Sequence, residues 1–251
     1  MNKSSFHQSL KFCQNIVAGE STRLGGYSLP PFKSLNLGLY TEDDKETIQK
    51  NRQSFFESLG IKPRQTAGSH QVHGDRIIYV SQPGQYEGYD ALICNQKGIF
   101  LTVTVADCTP VLIYDSKNEA VAAIHAGWKG TVLEIVRKTL EQMSKQFGTN
   151  GEDCHAYIGT CIDECSFEVD ADVADNFDLT FKRWDDHLKK FFIDLKAANK
   201  KQLLDFGIPD ESIEVSPFST FEHNERYFSY RKEKGQTGRM LGVIGMVSGL
   251  R

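Results

Sequence analysis

The chain has 251 residues, 29 Lys and Arg against 33 Asp and Glu, a net charge of −4 and 39% hydrophobic residues. That balance excludes a disordered tail protein and describes a chain long enough to bury a substantial core. The small negative charge gives no electrostatic case for nucleic acid or an anionic membrane as the main partner, and no window reaches the roughly 18–20 apolar residues of a membrane helix.

Taken in chain order, the first residues lack the apolar block and small-residue cleavage site of a secretory signal, so a cytoplasmic location is expected. Residues 10–17 read as an opening strand and residues 18–28 as a polar, glycine-rich loop. Pro30 and Pro31 mark a turn before residues 34–40. Asp43 is a candidate N-cap for a helix reaching Leu59, with Ile48, Phe55, Phe56 and Leu59 on one face and Gly60 ending it.

The middle of the chain is richest in strands. Residues 76–80, 99–105, 111–114 and 120–125 are short, apolar and separated by turn residues. Residues 99–106 have almost no polar face and read as buried on both sides. An amphipathic helix is expected over residues 132–147, with Val132, Ile135, Val136, Leu140, Met143 and Phe147 at helical spacing and Gly148 closing it.

Residues 154–159 and 167–169 read as strands, 172–179 and 192–206 as helices, and 213–217 and 226–230 as short strands. The Lys-rich run 182–201 reads as a solvated helical face, and residues 235–250 are rich in glycine and small apolar residues. Strands and helices mix along the whole length, giving an α+β or α/β class. No composition break divides residues 1–251, so one domain is expected.

Three segments stand out for chemistry: SHQVHG with His70 and His73, ADCTP with Cys108, and IHAGWKG with His125. Asp107 and Cys108 follow a buried strand, the end where ligands often bind, and Pro110 is expected to turn the chain there. Cys108 is otherwise a buried core thiol. His125 is flanked by small residues and precedes a helix whose free N–H groups suit an anion; the plain alternative is a histidine satisfied by backbone. On an extended chain His70 and His73 point to opposite faces, and position alone does not choose between them. The six cysteines are too sparse for a disulfide framework and are expected as thiols.

Cys and His together suit two chemistries. One is a zinc with three protein ligands and an open position. The other is a Cys nucleophile with a His base, attacking an acyl or amide carbon. His223-Asn224-Glu225 matches the first half of a zinc deaminase pattern, but no Pro-Cys-x-x-Cys follows. Arg226, Arg231, Lys232, Lys234 and Arg239, interleaved with Tyr227, Phe228 and Tyr230, form either a phosphate-facing wall or a solvated loop.

With QVHG, ADCTPVLIYD and HAGWKGT in this order, the chain resembles the bacterial purine nucleoside phosphorylases once described as multicopper polyphenol oxidases, or laccase-domain proteins. STRLGGYS (21–28), SLNLG (34–38), Asn51-Arg52, IGTCIDECSFEV (158–169) and YFSYRKEKGQTGRM (227–240) extend the resemblance over nearly the whole chain. It implies an α+β fold of two mixed sheets packed face to face with helices outside, in four layers α/β/β/α, similar to the catalytic domain of cytotoxic necrotizing toxins. It implies one zinc on His73, Cys108 and His125, which are also the catalytic residues, and selects His73 over His70. The implied activities are phosphorolysis of adenosine, inosine, guanosine and methylthioadenosine, and deamination of adenosine.

Purine nucleosides and phosphate are the expected partners, with Arg52 or Arg231 balancing phosphate charge and Asn36 bonding ribose or purine. A multicopper oxidase would need a further histidine cluster, which seven scattered His do not supply. Thr160, Ser219 and Lys129 stand where the family often has Pro, Cys and Arg. Two rivals remain: a Cys108–His125 amide hydrolase acting on a cell-wall peptide precursor, and a non-enzymatic partner of envelope or division proteins.

Overall fold

The computed structural model describes residues 5–11, 13 and 15–247. The first strands are β1 (Phe6–Gln8), β2 (Ile16–Ser21), β3 (Thr66–His70), β4 (Ile77–Tyr79) and β5 (Gly84–Glu87). Then come β6 (Ala91–Cys94), β7 (Phe100–Val105), β8 (Thr109–Asp115), β9 (Ala120–Ala126) and β10 (Cys154–Ile158). The last are β11 (Glu168–Val169), β12 (Lys182–Asp185), β13 (Lys190–Ile193), β14 (Ile213–Val215) and β15 (Met240–Met246). The helices are α1 (Lys45–Ser58), α2 (Trp128–Val132), α3 (Ile135–Phe147), α4 (Ala171–Ala174) and α5 (Leu195–Asp205).

Two six-stranded mixed sheets carry the architecture, in the orders β1-β2-β15-β7-β3-β5 and β14-β10-β8-β9-β6-β4, beside a small sheet β11-β13-β12. Period-two alternation explains why they stack. Along β8, Leu112 and Tyr114 face the first sheet, where they meet Leu101, Val103 and Ile244. Val111 and Ile113 face the other way, onto Ile135, Val136, Leu140 and Met143 of α3 and Leu203 of α5. Leu241, Val243 and Phe100 turn from the inter-sheet core toward Phe55 and Phe56 of α1. The layers are therefore α1, sheet, sheet, then α3 with α5. Each fully buried Leu, Ile or Phe contributes about 1.5–3 kcal/mol.

Several local expectations change. The opening strand expected at 10–17 is replaced by β1 and β2; β2 begins at Ile16 and pairs with β15, so the polar loop starts later than expected. The N-cap of α1 is Asp44, whose side chain accepts from Thr47 N–H at 2.8 Å. Asp43 instead accepts from the Ser28 hydroxyl at 2.6 Å and Asn36 Nδ2 at 2.9 Å.

The helix expected over 132–147 is two helices, with Glu134 left-handed at φ 58° between them. Trp128 and Val132 pack beside the small sheet. Ile135 and Val136 pack on the large one. The jog re-aims the apolar face between these two partners. The Lys-rich run is a β12–β13 hairpin followed by α5, with buried Phe192 and Ile193 on the hairpin. In place of the helix expected at 172–179 there is a single helical turn, Ala171–Ala174, and residues 226–230 are turn and irregular backbone rather than a strand. Pro110 lies inside β8 opposite His125, so the bend comes earlier, at Asp107 with φ 85°.

Candidate metal centre

The site lies where two connections between the stacked sheets meet the end of a strand. His73 follows β3 of one sheet and precedes β4 of the other. Cys108 sits in the bend from β7, in the first sheet, to β8, in the second. His125 is the penultimate residue of β9. The donor atoms of His73, Cys108 and His125 all lie within 4.8 Å of one another, and the two imidazoles meet edge to face with centroids 4.8 Å apart. Among the described residues this is the one His/Cys/Asp/Glu group with metal-holding geometry.

Left-handed backbone makes the convergence possible. His73 has φ 59° and Asp107 has φ 85°, values that cost a non-glycine residue unless its surroundings hold it. Buried Asp90, just before β6, holds the first. Its carboxylate accepts from the N–H groups of Val72 (3.2 Å), His73 (2.9 Å) and Gly74 (2.8 Å). The same carboxylate meets His125 Nδ1 at 2.8 Å, and its carbonyl accepts from His125 N–H at 2.7 Å. Asp107 is held from the other side. Its Oδ1 accepts from the Thr220 hydroxyl at 2.5 Å and its Oδ2 from Arg231 N–H at 2.7 Å.

Electrostatics follow from these contacts. Burial by itself would raise the Cys108 thiol, but the charge and hydrogen bonds of His125 and His73 outweigh it and hold the thiol below its ordinary range. Burial disfavours the His125 cation, yet Cys108 and Asp90 raise its pKa. Burial also opposes ionisation of Asp90, and the hydrogen bonds from His125 and the loop amides more than offset that. With Nδ1 turned to Asp90, Nε2 of His125 is the nitrogen turned to Cys108 and the one a ligand would take, the usual arrangement of a metal-bound histidine.

A soft thiolate and two imidazoles suit zinc. The space around them suits an ion as well. A Cβ added at Gly127 would sit 3.1 Å from Cys108 Sγ and 3.2 Å from His73 Cδ2, so only glycine keeps the hollow open.

The trio opens into a cavity of about 490 Å³. Its walls include Tyr40, Gln71, Phe167, Tyr230, Arg231 and Arg239. Of the expected substrate contacts, Arg231 reaches this cavity. Its Nη1 donates to the Glu168 carbonyl at 3.1 Å and pairs with the Glu168 carboxylate at 2.7 Å. Asn36 and Arg52 do not line it. Asn36 is fully buried, and its Oδ1 accepts from Gly38 N–H (3.1 Å) and Arg239 N–H (2.9 Å). Arg52 is also buried, donating to the Leu37 carbonyl at 2.8 Å. His70 lines the cavity wall outside the trio, its ring 4.3 Å from that of Tyr40. His223 is outside the trio and lies against Phe218. Among the basic residues, Arg231 and Arg239 face the cavity, while Arg226 stacks on Phe218 and Lys232 donates to the Phe221 carbonyl. Asp90 carries no motif in the sequence; its only local signal is a carboxylate one residue ahead of an apolar strand.

A sequence profile of the family described as multi-copper polyphenol oxidoreductase laccase matches residues 17–247. A Bacteroides thetaiotaomicron protein named purine nucleoside phosphorylase is 37% identical, over 95% of this chain and 94% of its own length. A Bacillus subtilis purine nucleoside phosphorylase is 32% identical, over 93% of this chain and 89% of its own. Among solved structures, Bacillus licheniformis YfiH superposes with a TM-score of 0.93 at 30% identity, covering 98% of this chain and 97% of its own. Geobacillus stearothermophilus YlmD gives a TM-score of 0.89 at 32% identity, with 94% and 93% covered. No helix of the described residues is long and apolar enough to cross a membrane.

Proposed function

The chain belongs to the multi-copper polyphenol oxidoreductase laccase family, and from that premise we propose that it is a zinc-dependent purine nucleoside phosphorylase that also deaminates adenosine. The observation that carries the reading is the His73–Cys108–His125 trio, oriented by Asp90 and open to a cavity walled by aromatic rings and two arginines. The names of the Bacteroides and Bacillus relatives support phosphorolysis as the reaction class. A multicopper mechanism wants a second histidine cluster, and none lies among the described residues.

When bound, zinc supplies Lewis acidity to a phosphate oxygen or to a water. His73, Cys108 and His125 would hold it, and Asp90 fixes the ring and tautomer of His125. Arg231 and Arg239 balance the charge of the incoming phosphate, the guanidinium fork matching its oxygens. Tyr40, Phe167 and Tyr230 offer faces on which a purine stacks. In phosphorolysis a phosphate oxygen bonds to the anomeric carbon while the carbon–nitrogen bond breaks, and the purine leaves with that electron pair and takes a proton. In deamination water adds to the purine carbon bearing the amine, and ammonia leaves. Adenosine, inosine, guanosine and methylthioadenosine are the nucleosides proposed, and the cytoplasm the location.

Elemental analysis of the purified protein, then incubation with adenosine and phosphate, tests the reading. Expected are about one zinc per chain, adenine with ribose 1-phosphate, and inosine with ammonia. Cys108→Ala is expected to lose zinc and turnover while staying folded. A zinc-free, fully active Cys108→Ala protein overturns the assignment.

One observation favours a second reading. Asp90, His125 and Cys108 form a chain of contacts in the order orienter, base, nucleophile, which an amide hydrolase would use. His73 has no part in that chain but completes a metal set. An alkylating probe separates the two: a metal-bound thiolate reacts only after chelation, a free nucleophile at once.

A further inference from the structure

Behind the segment that carries Leu39 and Tyr40 lies a second cavity, of about 380 Å³. Leu39 lines both it and the reaction cavity. A constriction of about 10 Å³, room for about one water, shares Leu39, Tyr40 and Gln71 with the reaction cavity and Leu39, Arg52 and Gln85 with the second. The second cavity is walled by Gln49, Arg52, Gln53, Arg64, Thr66 and Gln85 among others, and no carboxylate lines it.

Arg52 is the unusual member. It is 7% exposed, yet no Asp or Glu among the described residues lies within ion-pairing distance. One Nη donates to the Leu37 carbonyl at 2.8 Å, and the guanidinium lies 5.3 Å from the centre of the Phe56 ring. Its other N–H groups have no acceptor in the protein among the described residues, and Arg52 lines both the second cavity and the constriction. A buried cation without a counter-charge is costly, and burial pulls this guanidinium down to about 10. Asp43, nine residues before Arg52, is occupied by Ser28 and Asn36 and does not serve it.

We propose that this cavity is a binding site for a small polar phosphomonoester, with Arg52 gripping its oxyanion. A guanidinium with free N–H groups matches a phosphate edge, and a compact tetrahedral anion leaves most of the cavity for a hydroxylated body. Gln49, Gln53, Gln85 and Thr66 provide neutral donors and acceptors for those hydroxyls, and Arg64 at the open side adds a second positive charge. The site is separate from the reaction assigned above. It touches that reaction mechanically, because Arg52 also holds the Leu37 carbonyl, next to Gly38, Leu39 and Tyr40 of the reaction-cavity wall.

Ribose 5-phosphate is the probe, titrated calorimetrically into Arg231→Gln protein so that oxyanion binding at the reaction cavity is weakened. One site is expected to remain. Gln85→Glu, at an exposed position, should weaken it at least about tenfold by setting a carboxylate beside the ligand. Arg52→Gln should do the same, and Gln85→Glu decides the matter if Arg52→Gln does not fold. Ribose should not bind, and succinate should bind at least about tenfold more weakly than ribose 5-phosphate. The proposal is overturned if Arg231→Gln protein binds no ribose 5-phosphate, if Gln85→Glu leaves the affinity unchanged, or if ribose or succinate binds equally well. None of these readouts requires turnover or metal, so failure here and failure of the phosphorylase reading are distinguishable.

Discussion

Asp90 holds His125 twice: its carboxylate lies 2.8 Å from Nδ1 and its carbonyl 2.7 Å from the backbone N–H. The same carboxylate gathers the amides of Val72, His73 and Gly74, so one acid places two of the three donors. Asp90→Asn keeps the shape but turns one acceptor oxygen into an NH₂ facing amide donors. Retained metal affinity is expected to fall roughly 10- to 100-fold, and stability by about 1–3 kcal/mol. Chelator competition and urea denaturation measure the two. Unchanged metal affinity would remove Asp90 from the site.

Gly127→Ala isolates the hollow itself. The backbone at Gly127 has φ −70° and ψ 173°, which alanine adopts without strain, so the cost to folding should stay near 1 kcal/mol. The new methyl, 3.1 Å from Cys108 Sγ, fills the space between thiolate and imidazole. Metal retention is expected to drop at least about tenfold with a melting temperature within a few degrees of the parent. Elemental analysis beside a thermal melt checks both; a fully loaded Gly127→Ala protein would show that the ion does not sit there.

How far these features are legible in the sequence depends on the range of the contact that makes them. β7, β8 and β9 declare themselves by apolar runs between turn residues, and Cys108 and His125 by their place at strand ends. Asp90 acts 35 residues from His125 through the pairing of β6 with β9, which no local pattern records. β15 reads as a glycine-rich stretch because its glycines answer neighbours rather than propensity. At Gly245 a Cβ would lie 2.5 Å from Phe100 Cδ1 and 2.6 Å from the Ile99 carbonyl. Asn36 drew notice as part of a motif and proves to brace Gly38 and Arg239 from inside. A motif marks a demanding position without saying whether a ligand or the backbone makes the demand.

Glu20 carries a pH dependence. It is buried, accepts from Thr160 N–H at 2.8 Å and bonds the Thr160 hydroxyl. Burial raises its pKa above the ordinary 4.5 despite those bonds. The native state then keeps the proton where the unfolded chain has lost it. Its contribution to stability is full below about 4.5 and is lost as pH rises toward the native-state value. Glu20→Gln can still accept from Thr160 N–H and cannot ionise. The urea midpoint of Glu20→Gln minus that of the parent should therefore grow as pH rises above 4.5. A difference that is flat or shrinks with pH contradicts the assignment.

Asp107 joins the His73–Cys108–His125 group to the arginine that faces the cavity. Its left-handed backbone turns the chain from β7 into β8, and its two oxygens take the Thr220 hydroxyl and the Arg231 N–H. Asp107→Asn tolerates the same backbone, since asparagine enters the left-handed region readily, but its NH₂ cannot accept one of those two hydrogens. Asp107→Ala loses both acceptors and adds about 1–2 kcal/mol of backbone strain. If the loop carrying Arg231 is positioned by these bonds, Asp107→Asn should raise the KM for phosphate several-fold, roughly 1 kcal/mol of lost positioning, with kcat and zinc content close to the parent. Asp107→Ala should add a loss of stability to the same change in KM. Steady-state kinetics at varied phosphate, with zinc assayed on the same samples, separates this from a defect in the metal site. An equal fall in zinc and kcat with KM unchanged would place the effect at Cys108 instead.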